Sequence, residues 1–229
     1  MKRLKAPLLV VNFKAYIEAT GKRAVALAKV AERVAAATGV DIIVAPQFVD
    51  VKSVSEAVAI PVFGQHLDPI AAGAHTGHVL ADSLKSAGAE GSLLNHSEKR
   101  LSRAEIQSAV GICLETDLYS LVCADTAIAA AEVAKFHPDM IAIEPPFLIG
   151  SGVSVSKARP EMITEGLRMI KRVSNKIVVL CGAGVTTAED VSKALDLGTE
   201  GVLVASSVVK TKDSENVLSK MADAMIGKK

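Results

Sequence analysis

Residues 177–207 read IVVLCGAGVTTAEDVSKALDLGTEGVLVASS. The stretch opens on an apolar run at 177–181, passes through Gly-Ala-Gly, and enters a helical pattern at 186–197. A second apolar run follows at 201–205, and Ser206-Ser207 lead into another helical stretch. Neither run alternates polar with apolar residues. Continuous apolar runs of this length are strands covered on both faces, as in a parallel sheet flanked by helices. Thr186 and Glu189 fit a capping box that satisfies the first-turn amides of the intervening helix. The unit is strand, helix, strand, with the length of a right-handed crossover.

Outward from this stretch the unit recurs along the whole chain. Further apolar runs lie at 8–13, 41–45, 61–65, 91–95, 120–124 and 140–143, spaced by about 20–35 residues. Residues 22–37 form a helical pattern that sets Val25, Ala28, Val30 and Val34 near one face. A helix over 102–114 opens with a second box, Ser102 and Glu105. Asp125 suits the cap of the helix after the fifth strand, and Pro160 suits a first helical turn. No linker, low-complexity tract or charge block interrupts the series. Eight such units predict an α/β fold: a single-domain (β/α)8 barrel of eight parallel strands spanning residues 1–229. The active site of such a barrel lies at the C-terminal ends of the strands.

Composition narrows the function classes. Twenty-six Lys and Arg face 25 Asp and Glu in 229 residues. That balance offers no basic stripe for nucleic acid and no polybasic patch for a membrane surface. The apolar run after Lys2-Arg3 is too short for a signal peptide core, and no stretch reaches the roughly 18 apolar residues of a membrane span. The chain reads as a soluble cytoplasmic protein. Cys113, Cys123 and Cys181 are odd in number and widely spaced, which suits reduced, buried core thiols.

The informative polar residues are those at strand ends. Asn12 and Lys14 share one strand face, with Phe13 opposite, packed towards helices. The fourth run leads into Asn95-His96-Ser97-Glu98-Lys99-Arg100, where Glu98 and Arg100 form a candidate ion pair. Glu144 ends the otherwise apolar sixth run, a costly place for a carboxylate unless it is exposed, paired or functional. The glycines and apolar centre of Phe147-Leu148-Ile149-Gly150-Ser151-Gly152 describe a loop that covers a small ligand. Gly184 after the seventh run, and Ala205 and Ser206 after the eighth, let backbone amides approach a phosphate. His75 and His78 are spaced as a metal pair but lack a third ligand, so no metal is expected. His66 lines the mouth near the third strand, and His137 is a structural residue at a helix end.

Taken in order, Asn-x-Lys after the first strand, His-Ser-Glu-Lys-Arg after the fourth, and Glu-Pro with Ile-Gly-Ser-Gly after the sixth make the chain resemble the triosephosphate isomerase family along nearly its whole length. The resemblance implies a TIM barrel without a cofactor. It implies interconversion of D-glyceraldehyde 3-phosphate and dihydroxyacetone phosphate through an enediolate, in glycolysis and gluconeogenesis. It makes Glu144 the base, His96 the electrophile and Lys14 the cation, with Asn12 positioning beside it and Glu98 supporting. Ile149 and Gly150 close over substrate, and Gly184, Ala205 and Ser206 hold phosphate. The chain departs from the common pattern at Pro146-Phe147 in the lid, Gly-Ala-Gly after strand seven and Ala205-Ser206 after strand eight, and its compact length, Asn95-His96 and Pro145-Pro146 resemble the short archaeal branch, which is typically tetrameric. The resemblance therefore implies a homo-oligomer, with a tetramer favoured.

Two other readings fit parts of the chain. A sugar-phosphate epimerase would share the phosphate half at strands seven and eight. A non-catalytic sensor of phosphate ligands would use the same fold, but has no need of a carbon base such as Glu144.

Overall fold

The computed structural model describes residues 4–145 and 155–226. Eight strands run parallel: β1 Leu8–Asn12, β2 Asp41–Ala45, β3 Phe63–Gly64, β4 Gly91–Leu94, β5 Tyr119–Ala124, β6 Met140–Ile143, β7 Val178–Cys181 and β8 Gly201–Val204. They hydrogen-bond in the order β2-β1-β8-β7-β6-β5-β4-β3, and a parallel bridge between Val44 and Val62 closes β2 onto β3. The helices are α1 Lys22–Thr38, α2 Val51–Ser55, α3 Ala81–Ser86, α4 Arg103–Glu115, α5 Ala127–Ala134, α6 Val155–Ala158, α7 Pro160–Val173, α8 Ala188–Asp196, α9 Ser206–Val209 and α10 Ser214–Ile226. This is the expected (β/α)8 barrel.

Strand alternation divides the core in two. Leu8, Val10, Leu93, Met140, Leu180 and Leu203 fill the barrel interior with their neighbours of like parity. Leu9, Val11, Phe13, Ile141, Val179 and Val202 face the helices. Because side chains repeat every two residues, the inward rows continue past the strand ends. The row of Leu8 and Val10 reaches Asn12 and Lys14. That of Met140 and Ala142 reaches Glu144, and those of Leu180 and Leu203 reach Gly182 and Ala205. The strands thus aim polar residues of β1 and β6 at one mouth.

Local readings from the sequence hold in part. The Ser102–Glu105 box forms, with Glu105 N–H donating to Ser102 Oγ and Ser102 N–H to Glu105 Oε2. Pro160 opens α7. The second box is shifted by one residue and pairs Thr187 with Asp190, because Asp190 Oδ2 accepts from the amides of both Thr186 and Thr187. Thr126, not Asp125, caps α5, since Asp125 is engaged by Arg100 at 3.1 Å. That ion pair replaces the expected one between Arg100 and Glu98. On α1 the buried stripe is Ala24, Leu27, Ala28, Ala31 and Val34, with Val25 and Val30 only half-buried. Alanines let the helix lie close to the sheet, so the face of closest approach is not the face of the largest side chains. The third strand shrinks from 61–65 to Phe63–Gly64, and the Gln65 side chain just beyond it donates to Lys14 O and Ala45 O.

Candidate active site

A cavity of about 300 Å³ opens at the C-terminal ends of the strands. Asn12, Lys14, His96, Glu98 and Glu144 line one side, and Gly184, Ala205 and Ser206 the other. Every sequence-derived site residue within the described part of the chain therefore meets in one place. Ile149, Gly150 and the remainder of the proposed covering loop lie outside the described residues.

Lys14 sits at the end of β1 in the left-handed region, φ 49°. Asn12 Oδ1 accepts the Lys14 N–H at 2.9 Å, and Gln65 Nε2 donates to the Lys14 carbonyl at 3.0 Å. The backbone is thus clamped from two sides, and Lys14 Nζ donates to Glu98 Oε1 at 2.8 Å. Lys14 is largely buried whereas Glu98 is exposed, so Glu98 supplies a partner for the ammonium from the solvent side.

Simple alternation puts His96 on the helix-facing row of Leu94. Asn95 breaks that parity with φ 57°, a conformation Asn tolerates better than most residues. Its side chain replaces the lost ladder bonds: Nδ2 donates to Cys123 O at 2.9 Å, and Oδ1 accepts Leu101 N–H at 3.0 Å. The His96 ring consequently turns into the cavity. Nδ1 accepts the Glu98 N–H at 3.2 Å, which assigns the ring proton of a neutral imidazole to Nε2. Nε2 lies 3.9 Å from Glu144 Oε2. That gap is too long for a direct hydrogen bond.

Glu144 is held by its own backbone, whose N–H donates to Ala124 O at 2.7 Å. The residue is only 6% exposed, and Oε2 finds no hydrogen-bond partner among the described residues. A buried carboxylate oxygen left unpaired is costly and marks a group kept for chemistry rather than stability. Burial, and after it the nearby Glu144 carboxylate, push the Cys123 thiol well above its usual range. Burial and the same carboxylate push Cys181 up to about 12. All three cysteines are buried free thiols. Cys123 was legible as core, but its contact with the Glu144 carboxylate was not.

Other candidates fall away from this cavity. His66 is buried and bonded to Asp68 at 3.2 Å, so it does not line the mouth. His75 and His78 meet edge to face at 5.7 Å on an exposed loop, and among the described residues no group of three ligating side chains forms. His137 stands in a left-handed turn after α5. A larger depression of about 460 Å³ lies at the opposite end of the barrel around Leu8, Met140 and Val178; His137 and Asp139 line it, and the Asp139 carboxylate is taken up by the Ser120 N–H and Oγ at 2.8 and 2.9 Å.

The wall of the cavity that includes Gly184, Ala205 and Ser206 is built from two turns. Ala183 and Gly184 both have positive φ, 22° and 72°. Ser207 Oγ donates to Val185 O at 3.2 Å, which ties the turn after β8 to the turn after β7.

A family model described as triosephosphate isomerase matches residues 7–223. A protein named triosephosphate isomerase from Methanothermus fervidus is 50% identical over 219 residues, covering 96% of this chain and 99% of its own. One of the same name from Methanocaldococcus jannaschii is 47% identical over 214 residues, covering 93% and 98%. One from Archaeoglobus fulgidus is 46% identical over 217 residues, covering 95% and 97%.

Proposed function

The chain belongs to the triosephosphate isomerase family, and from that premise we propose that Glu144, His96 and Lys14 carry its chemistry. The enzyme interconverts D-glyceraldehyde 3-phosphate and dihydroxyacetone phosphate, a glycolytic step. Glu144 removes the proton from the carbon next to the carbonyl and returns it to the neighbouring carbon. The enediolate formed between these steps carries charge on oxygen. His96 Nε2–H and Lys14 Nζ are donors set in place beforehand, so little reorganisation accompanies the charge shift. Asn12 holds the Lys14 backbone, and Glu98 holds its ammonium. Gly184, Ala205 and Ser206 receive the phosphate, whose binding energy is available to the reacting end. Ile149 and Gly150 join them on sequence resemblance alone.

The observation that carries this reading is the 3.9 Å separation of Glu144 Oε2 and His96 Nε2 across an otherwise unfilled gap. Substrate atoms inserted there meet a base on one side and a donor on the other. An epimerase or a sensor would not require this pair. Purified enzyme should isomerise glyceraldehyde 3-phosphate without added metal or cofactor, and dialysis against a chelator should leave the rate unchanged. Activity lost to the chelator and restored by one metal would overturn the mechanism.

We further propose that residues 1–229 form one domain, located in the cytoplasm and assembled as a homotetramer. Exposed apolar residues support the assembly. Ile17, Phe48 and Val49 sit on the loops after β1 and β2, which Gln47–Thr20 and Gly21–Asp50 hydrogen bonds tie together. Leu114, 83% exposed, and Ile128, 69% exposed, sit on α4 and α5. A contiguous exposed apolar patch such as that of Ile17, Phe48 and Val49 marks a contact surface. The overall mean hydropathy of +0.35 fits the same reading. Sedimentation equilibrium should give four chains of 23.8 kDa per particle. A lone 23.8 kDa species at micromolar concentration would exclude self-association.

A further inference from the structure

The charged side chains that line the cavity do not suit the ligand it takes. Among the described residues Lys14 is the single Lys or Arg of the lining and already pairs with Glu98 at 2.8 Å, while Glu144 adds a second carboxylate. With His96 neutral the lining carries a net charge of minus one, yet a triose phosphate arrives as a dianion. A compensating cation is needed near the mouth, and the structure supplies one outside the lining.

Lys210 follows α9, and its N–H donates to Ser206 O at 3.0 Å. Ser206 and Ser207 line the cavity on the side assigned to phosphate. The Lys210 side chain reaches back over the Tyr16 ring, with Nζ 4.3 Å from the ring centroid. Tyr16 lines the same cavity from the loop after β1. Lys210 thus spans the rim between the phosphate turns and the Lys14 loop. An aromatic face attracts an ammonium without removing its charge, as a carboxylate partner would. The ring therefore fixes where the charge stands and leaves its field available to an incoming anion.

We propose that Lys210, held over Tyr16, draws the phosphate dianion into the cavity. The inference rests on the isomerase reading above. Lys210 touches no reacting atom in it; it raises capture of substrate and leaves the chemical step alone. Fields of this kind raise association and fade as salt screens them.

The test compares wild type with Lys210→Gln, Lys210→Arg and Tyr16→Leu on glyceraldehyde 3-phosphate from low ionic strength to 1 M salt. Inorganic phosphate serves as competing inhibitor. Lys210→Gln should lower kcat/KM by about fivefold at low salt with kcat within twofold of wild type, the gap closing near 1 M, where the screening length is about 3 Å. Its inhibition constant for phosphate should rise by a similar factor. Lys210→Arg should restore both values, and Tyr16→Leu should fall between. An inactive wild type would defeat the isomerase reading itself. Given an active wild type, three results would each overturn the role of Lys210: equal kcat/KM for Lys210→Gln at every salt concentration, a deficit that persists undiminished at 1 M, or a loss confined to kcat.

Discussion

Glu144→Gln should reduce kcat by about 10²- to 10⁴-fold, the range general base catalysis contributes, while inorganic phosphate binds within a few-fold of wild type. An amide cannot accept the carbon-bound proton, and the substitution leaves Gly184, Ala205 and Ser206 unchanged in the lining. Glu144→Asp keeps the base and withdraws it by one methylene, roughly 1 Å, a misplacement that costs on the order of 10²-fold. Stability separates this role from a structural one. Among the described residues Oε2 is buried without a partner, and an uncharged amide is cheaper to bury than a carboxylate. The melting temperature of Glu144→Gln should therefore equal or exceed that of wild type. A variant that turns over substrate at near wild-type rate, or one that melts early while its folded fraction stays fast, would remove Glu144 from the mechanism.

The barrel was legible because parallel strands covered on both faces leave an unusually plain trace, a short run with no polar alternation. The placement of Lys14 and Glu144 was legible for a related reason: each continues the inward parity of its strand. His96 was not reachable that way. Parity assigns it to the helix-facing row, and only the left-handed turn at Asn95 brings it inside. The sequence shows Asn95, a residue that tolerates positive φ, but not that its side chain bonds Cys123 O and Leu101 N–H. Gln65 escaped notice for a similar reason, since it read as the last residue of the third strand and instead bonds across to Lys14 O and Ala45 O. The caps slipped by one residue where two acceptors stood side by side, Thr186 beside Thr187 and Asp125 beside Thr126. Arg100, distant in sequence, takes up Asp125, whereas the other choice turned on where the Asp190 carboxylate points, since it accepts from both Thr186 and Thr187. The missing information was side-chain geometry, which the pattern of apolar and polar residues does not encode.

Gly182→Ala should impair catalysis almost as severely as a change in the base itself. Gly182 continues the inward row of β7 beside Glu144, and its N–H donates to Ile143 O at 3.1 Å. A Cβ built there would stand 2.6 Å from Glu144 Cγ and 2.8 Å from Oε1. Contacts that short force a shift. The backbone at 182 is not among the positive-φ glycines, so alanine meets no conformational penalty of its own. The open side of Glu144 is the cavity, so the carboxylate gives way and the barrel stays intact. A displacement near 1 Å again predicts a loss on the order of 10²-fold in kcat, with the melting temperature close to wild type. The effect should depend on Glu144. In a Glu144→Gln background, where the base is already gone, Gly182→Ala should cost little more, a strong non-additivity of the kind expected for groups in contact. Glu144→Asp combined with Gly182→Ala should likewise lose less than the two single changes multiplied together, because the shorter acid clears the added methyl. Multiplicative losses in both double variants, or a Gly182→Ala enzyme within threefold of wild type, would mean that Gly182 does not make room for the base.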